Sequence, residues 1–428
     1  MTVADRLHQQ WIERYQDQLG RARDEVTTPA LLLDLDVAKR NIQKMADNFR
    51  ELPASLRPHI KVHKSAELSR LMVEAGAIGV ACATAWEAKV MADAGIEDVL
   101  VANQVVHPDK VRAVAETARE HRITVTVDDP RNVEQLSRAA AEAGSELELL
   151  IEIDVGMGRC GVRSKEEALP LAEVIAAAPH VRLRGMQGYE GHCMLEPNHD
   201  VRLREAHKAN AKLVEAVDYL AEHGHPSADV SGGGTGTWYI TGANPRITEV
   251  QAGSYALMDR FHGNLVPGGF EVAMTVLGTV ISRQGNTVIL DSGRKSVGID
   301  FVTPPLAAYP DAEVRFYAEE HCLVIDHNAL IVAISASFEA LLGLTVTAIG
   351  RPMVGDVMIL VDFGDGFELA PTEVDKTPPL LALTSGRLAR GLMRVRAAGD
   401  ATRTLDAIST PLIEQGAITG SLTFFGEV

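Results

Sequence analysis

The sequence predicts an α/β fold: a (β/α)8 TIM-type barrel, then a β-rich segment and a C-terminal α+β part. Three observations carry this expectation. Between residues 57 and 253, short apolar runs alternate with helix-like stretches. There are about eight such units, and strand–helix alternation of that count and length is the signature of a closed parallel barrel. Past residue 268 the helical stretches stop and hairpin patterns take over. A doubly wound open sheet is the structural alternative.

Residues 1–27 read as an N-terminal amphipathic helix, with Leu7, Trp11 and Tyr15 at i, i+4, i+8. TPALLLDLD, residues 28–36, reads as a strand, with Asp36 as N-cap of the helix VAKRNIQKMADNF. The barrel is expected over 28–268. Its strand candidates are RPHIKV, AIGVACAT, DVLVANQ, ITVTVDD, LELLIEIDVG, RLRGMQGYE, SADVSGGG and ITEVQAG. Stretches such as SAELSRLMVEAG, AWEAKVMADAG and PRNVEQLSRAAAEAG lie between them, with alanines, leucines and charges at helical spacing. Residues 269–322 form the β-rich segment, in which VISRQGNTVIL has the chemistry of a hairpin turning at Gly-Asn. In 323–428 the sequence predicts a hairpin around Asp326-His327-Asn328, a short helix ASFEALLGL, and the strands GLMRVRAA and ITGSLTFFGEV.

Composition excludes some functions. Of the 428 residues, 46% are apolar and 23% charged, as in an ordinary globular protein. A net charge of −17 argues against a nucleic-acid partner and favours a soluble, cytoplasmic protein. No apolar run is long enough for a membrane span, and the N-terminus lacks the pattern of a signal peptide. Cys82, Cys160, Cys193 and Cys322 show no metal-binding or disulfide spacing and read as free thiols.

RPHIKVHK, residues 57–64, is too polar for an ordinary barrel strand. Taken as a strand with period two, it puts Arg57, His59, Lys61 and His63 on one face and turns Lys64 away. A barrel has no free edge on which to solvate such a set, so a reactive set is the better reading. SGGGTGT, residues 231–237, follows the seventh run, and Ala252-Gly253-Ser254-Tyr255 follows the eighth. Glycines and free N–H groups at these two barrel loops suit a phosphate cradle. EIDVGMGRCG ends the fifth run with Arg159, and GMQGYEGHC ends the sixth with Gln187, Tyr189 and His192. His192 reads as a structural histidine. A lysine at a strand end beside a phosphate site points to pyridoxal 5′-phosphate (PLP).

The motifs TPALLLDLD, RPHIKVHK, EIDVGMGRCGV, GMQGYEGH, SGGGTGT, EVQAGSYALMD and DSGRKSVGID run in order over residues 28 to roughly 321. In that order they resemble the fold-type III PLP enzymes with an alanine-racemase-like barrel, in the branch of D-threonine aldolase, 3-hydroxyaspartate aldolase and D-serine dehydratase. The resemblance implies that Lys61 is the Schiff-base lysine and that Arg159, Gln187 and Tyr189 lie around the ring. It places Gly233, Gly234, Thr235, Gly253, Ser254 and Tyr255 at the phosphate, and it implies a homodimer. The implied activity is a PLP-dependent lyase that splits D-3-hydroxy amino acids to glycine and an aldehyde, with His59 and His63 as acid–base candidates. Dehydration of D-serine or 3-hydroxyaspartate, racemisation, and a sensor without catalysis remain open. Relatives carry a divalent-metal pair in the second domain, a histidine followed two places later by cysteine or aspartate. Glu319-Glu320-His321 and Asp326-His327 lie nearby, but the pair is not found in its usual context. Instead, LVIDHNALIVAISASFEALLG, IGRPM and ITGSLTFFGEV make residues 323–428 resemble a PAS domain.

Overall fold

The computed structural model describes residues 6, 9, 10, 12, 13, 16–284, 287–300, 302–307, 309, 312–325, 342, 358–361, 363, 369, 374, 376–396, 402–414 and 417–428. They form two compact units, residues 32–275 and residues 1–31 with 276–428.

The first unit is the barrel. Its strands are β1 (Ser55–Leu56), β2 (Val80–Cys82), β3 (Asp98–Gln104), β4 (Arg122–Val127), β5 (Leu147–Glu152), β6 (Val181–Gly188), β7 (Asp229–Gly232) and β8 (Glu249–Val250). All pair in parallel, in the order β1-β8-β7-β6-β5-β4-β3-β2. The two end strands meet through a parallel bridge between His59 and Ala81. Beside it, Ile78 N–H donates to the Leu56 carbonyl at 3.0 Å and Ala81 N–H to the Pro58 carbonyl at 2.8 Å. The sheet is therefore closed, and the open doubly wound alternative falls away.

Every residue of LELLIE in β5 is buried, as expected of a parallel strand covered on both faces. The outer helices begin at side-chain caps: Ser65 for α1 (Ala66–Glu74), Thr84 for α2 (Ala85–Asp93), Asp129 for α3 (Pro130–Ala143) and Ser164 for α4 (Lys165–Ala177). A 24-residue helix, α5 (His199–Glu222), and a single turn, α6 (Trp238–Thr241), follow.

Two local expectations are corrected. The helix Leu35–Arg50 is capped by Asp34, which accepts the Val37 N–H at 3.0 Å, so Asp36 lies inside its first turn. More important, RPHIKV is not a strand. The regular ladder ends at Leu56, with one isolated bridge left at His59, because Pro58 has no N–H with which to continue it. Ile60–Val62 then form a 3-10 turn whose first N–H groups need a cap, and His59 supplies it. Arg57, His59, Lys61 and His63 therefore share no strand face. Lys64 takes a left-handed φ of 52° and pairs with Glu87 at 3.0 Å.

In the second unit, β9 (Val280–Gln284), β10 (Thr287–Leu290), β11 (Glu313–Tyr317) and β12 (Cys322–Ile325) form an antiparallel sheet in the order β9-β10-β12-β11. A second antiparallel sheet holds β13 (Ile359–Leu360), β14 (Ala389–Arg396), β15 (Thr402–Glu414) and β16 (Ala417–Glu427), in that order. The helix α7 (Pro378–Ser385) precedes β14. Near the N-terminus residues 6, 9, 10, 12, 13 and 16 are helical, and the chain turns at Asp17. Leu7, Trp11, Tyr15, the 326–328 turn, the ASFEALLGL segment and IGRPM lie outside the described residues.

Candidate active site

The C-terminal ends of the barrel strands gather most of the residues singled out in the sequence. Lys61 Nζ lies 5.7 Å from the centre of the Tyr189 ring, and the Arg159 guanidinium carbon lies 5.4 Å from the same centre. Two cations from the segments after β1 and β5 thus face one aromatic ring after β6. Lys61 keeps solvent access, yet desolvation, and next the charge of Arg159, lowers its ammonium pKa. A lysine held this way spends more time as the free amine, the nucleophilic form.

His59 and His63 flank Lys61 with strongly depressed pKa values. Burial, with Lys61 and Arg159 adding repulsion, holds His59 at about 3, and burial holds His63 at about 4. Each Nδ1 accepts a backbone N–H: that of Lys61 at 3.3 Å for His59, and that of Ser65 at 3.0 Å for His63. The proton of each neutral ring therefore sits on Nε2, which makes the rings hydrogen-bond donors in this geometry.

The two glycine loops lie side by side because β7 and β8 pair in register, Gly232 opposite Val250. Gly233 has a φ of +73°, and a Cβ there would stand 2.8 Å from Val250 Cγ1. A Cβ on Gly253 would stand 2.0 Å from the His59 carbonyl oxygen, so the loop after β8 packs directly on the segment that carries Lys61. Ser254 opens the short 3-10 turn Ser254–Ala256 beside it. In these loops Thr235 Oγ1 and the Tyr255 hydroxyl are buried without a hydrogen-bond partner. Buried donors left open next to close-approach glycines fit an anionic ligand such as the phosphate of PLP.

Gln187 is buried and accepts from Gln251 Nε2 at 2.8 Å, so it is fixed inside the barrel two residues before Tyr189. His192 packs against Gly156, where a Cβ would come within 3.1 Å of its Cε1. Sequence reading passed over two carboxylates. Glu152, last in β5, accepts from Gln104 Nε2 at 2.6 Å and lies 3.5 Å from Arg159, with burial raising its pKa. Glu190, fully buried, receives three hydrogen bonds from the glycine-rich loop and α6. Both stand inside motifs already quoted, EIDVGMGRCG and GMQGYEGHC, beside residues that drew attention away from them.

Among the described residues, no three His, Cys, Asp or Glu side chains come together to hold a metal ion. Glu319 and Glu320 pair with Arg294 and Lys295 instead.

Residues 33–260 match the family model of the alanine racemase N-terminal domain. Over 323 residues the chain is 36% identical to 3-hydroxy-D-aspartate aldolase of Paracoccus denitrificans (strain Pd 1222), covering 73% of this chain and 84% of that protein. Over 311 residues it is 34% identical to D-threonine aldolase of an Arthrobacter species, covering 72% of this chain and 82% of that protein. The crystal structure of D-threonine aldolase from Filomicrobium marinum superposes with a TM-score of 0.68 at 36% identity, covering 70% of this chain and 83% of that one. With the family model spanning more than half of its length and relatives of this identity covered over most of theirs, the chain belongs to the alanine racemase N-terminal domain family, in the group that includes 3-hydroxy-D-aspartate aldolase and D-threonine aldolase.

Proposed function

We propose that the chain is a PLP-dependent carbon–carbon lyase that cleaves D-3-hydroxy amino acids to glycine and an aldehyde. The observation that carries this reading is the meeting of Lys61 and Arg159 at the Tyr189 ring, beside loops whose buried hydroxyls have no protein partner. In this reading Lys61 holds the cofactor covalently, and Arg159, Gln187 and Tyr189 surround its ring. Gly233, Gly234, Thr235, Gly253, Ser254 and Tyr255 surround its phosphate, Gly233 and Gly234 by close backbone approach rather than by their N–H groups. When bound, the cofactor supplies an electron sink for the pair left at Cα as the Cα–Cβ bond breaks.

The chain's own groups set up that cleavage. The lowered pKa of Lys61 makes its amine a readier group to take and return a proton. His59 and His63 offer Nε2–H to oxygens of the substrate, since each Nδ1 already accepts a backbone N–H. As the Cα–Cβ bond breaks, the β-hydroxyl proton passes to the Lys61 amine and the hydroxyl carbon becomes the aldehyde; Lys61 then returns a proton to Cα, giving glycine. The same reading treats 28–268 as the cofactor-binding unit, 269–322 as the β-rich part of a second domain and 323–428 as a PAS-like module. It takes the molecule as cytoplasmic, on its acidic charge, and as a homodimer, on the strength of the family resemblance.

The test is a visible spectrum of the purified chain with added PLP, repeated on Lys61→Ala. The wild type is expected to show the absorption band of lysine-bound cofactor and Lys61→Ala to lose it; a wild type without the band sinks the cofactor reading. Glycine and aldehyde release from D-threonine and D-3-hydroxyaspartate, with and without manganese, then tests the reaction. Ammonia and an oxo acid in place of glycine would mark a dehydratase.

A further inference from the structure

We propose that Glu190 is the positioning residue of the phosphate loop, locking its first two glycines so that Thr235 faces the cofactor phosphate. The inference rests on the cofactor reading above. Glu190 directly follows Tyr189, the ring shared by Lys61 and Arg159, and its side chain is fully buried. One carboxylate oxygen accepts the Gly233 N–H at 3.0 Å. The other accepts the hydroxyls of Thr237 at 2.7 Å and Thr241 at 2.5 Å. Thr237 Oγ1, its proton committed to Glu190, in turn accepts the Gly234 N–H at 3.3 Å. The carboxylate therefore holds Gly233 directly and Gly234 through one hydroxyl.

This has a consequence for the cradle. The Gly233 N–H is spent on protein, so the loop's next residue, Thr235, carries the open donor, and its Oγ1 is buried and unpartnered. Tyr189 closes over the same point, for a Cβ on Gly234 would come within 3.3 Å of Tyr189 Cε2. Thr241 is also linked to Asn210 of α5 at 3.3 Å, which anchors the carboxylate's second oxygen to the outer helix layer. One buried anion thus ties the ring side of the site to its phosphate side. Charge-assisted hydrogen bonds of this kind are roughly twice as strong as neutral ones, which suits a loop that must hold its shape without ligand.

The test compares PLP with pyridoxal, which lacks the phosphate, in binding titrations of the cofactor-free full chain and of Glu190→Gln. Glutamine keeps the shape and removes the charge. Glu190→Gln is expected to bind PLP roughly tenfold or more weakly, in line with loss of hydrogen bonds to a charged group. Its affinity for pyridoxal is expected to stay at the wild-type value. Equal losses for both ligands, or no loss for PLP, overturn the proposal. Should Glu190→Gln fail to fold, Thr237→Val decides: a smaller loss confined to PLP supports the relay, and an equal or absent loss overturns it. A wild type that binds neither ligand would instead defeat the cofactor reading itself.

Discussion

At the N-terminal ends of the barrel strands, buried charges are matched to one another; at the C-terminal ends, buried polar groups are left open. At the lower end Arg57, only 1% exposed, pairs with Glu249 and with Asp98, each at 2.8 Å. Arg184 reaches Asp98 and Glu148, each at 3.0 Å, as well as Asp229 and the Thr124 hydroxyl. At the upper end Thr235 Oγ1, the Tyr255 hydroxyl and His63 Nε2 are buried without partners, while Lys61 and Arg159 crowd one ring. A fully paired network specifies how the strands close. A buried donor without a protein partner costs about 1–3 kcal/mol, which a ligand that accepts from it offsets. One end of the barrel therefore serves folding and the other binding, in keeping with the division of labour in this architecture.

The largest expected effect comes from breaking the matched end. Arg57→Met leaves Glu249 buried without its partner and should lower unfolding free energy by about 3–5 kcal/mol. Urea denaturation measures it. Adding Glu249→Leu should restore most of the loss, because removing both charges lifts the uncompensated burial. A double variant no more stable than the single one would show that the pair is not the closing element.

A smaller effect of opposite sign is expected at the open end. Tyr255→Phe removes a buried hydroxyl with no protein partner and should leave the cofactor-free chain as stable as wild type, or more stable by about 1 kcal/mol. PLP affinity should fall at the same time. A stability loss would mean that the hydroxyl already has a partner in solution.

The last effect is read on a different axis, as a pH dependence of stability. In the fold His59 and His63 take up protons only near pH 3 and 4, whereas their ordinary value is 6.5. Between those limits the unfolded chain binds more protons, so stability present above pH 6.5 is lost progressively as pH falls toward 4. Thermal melts across that range should show the fall, and His63→Asn should flatten part of it.

Much of the barrel was legible in residues alone. Runs such as LELLIE and ITVTV are rich in aliphatic and β-branched residues and are buried on both faces, and the helices between them carry caps that local chemistry dictates. RPHIKV departs from the expected strand because parity assumes a continued ladder, whereas past the proline only one isolated bridge at His59 precedes the 3-10 turn at Ile60. Lys61 still arrives at the site, but a 3-10 turn brings it there.

The sequence by itself determined the alternation that builds a closed parallel sheet, the glycine loops after the last two strands, and the lysine, arginine and tyrosine of the site. These follow from local pattern, which residue order contains. Only the tertiary structure decided that Arg57 belongs to the lower network, that both histidines hold their proton on Nε2, and that Glu190 grips a loop more than forty residues away. Such assignments depend on distances between segments remote in sequence and on burial that shifts proton equilibria, and neither is written in the spacing of one chain segment.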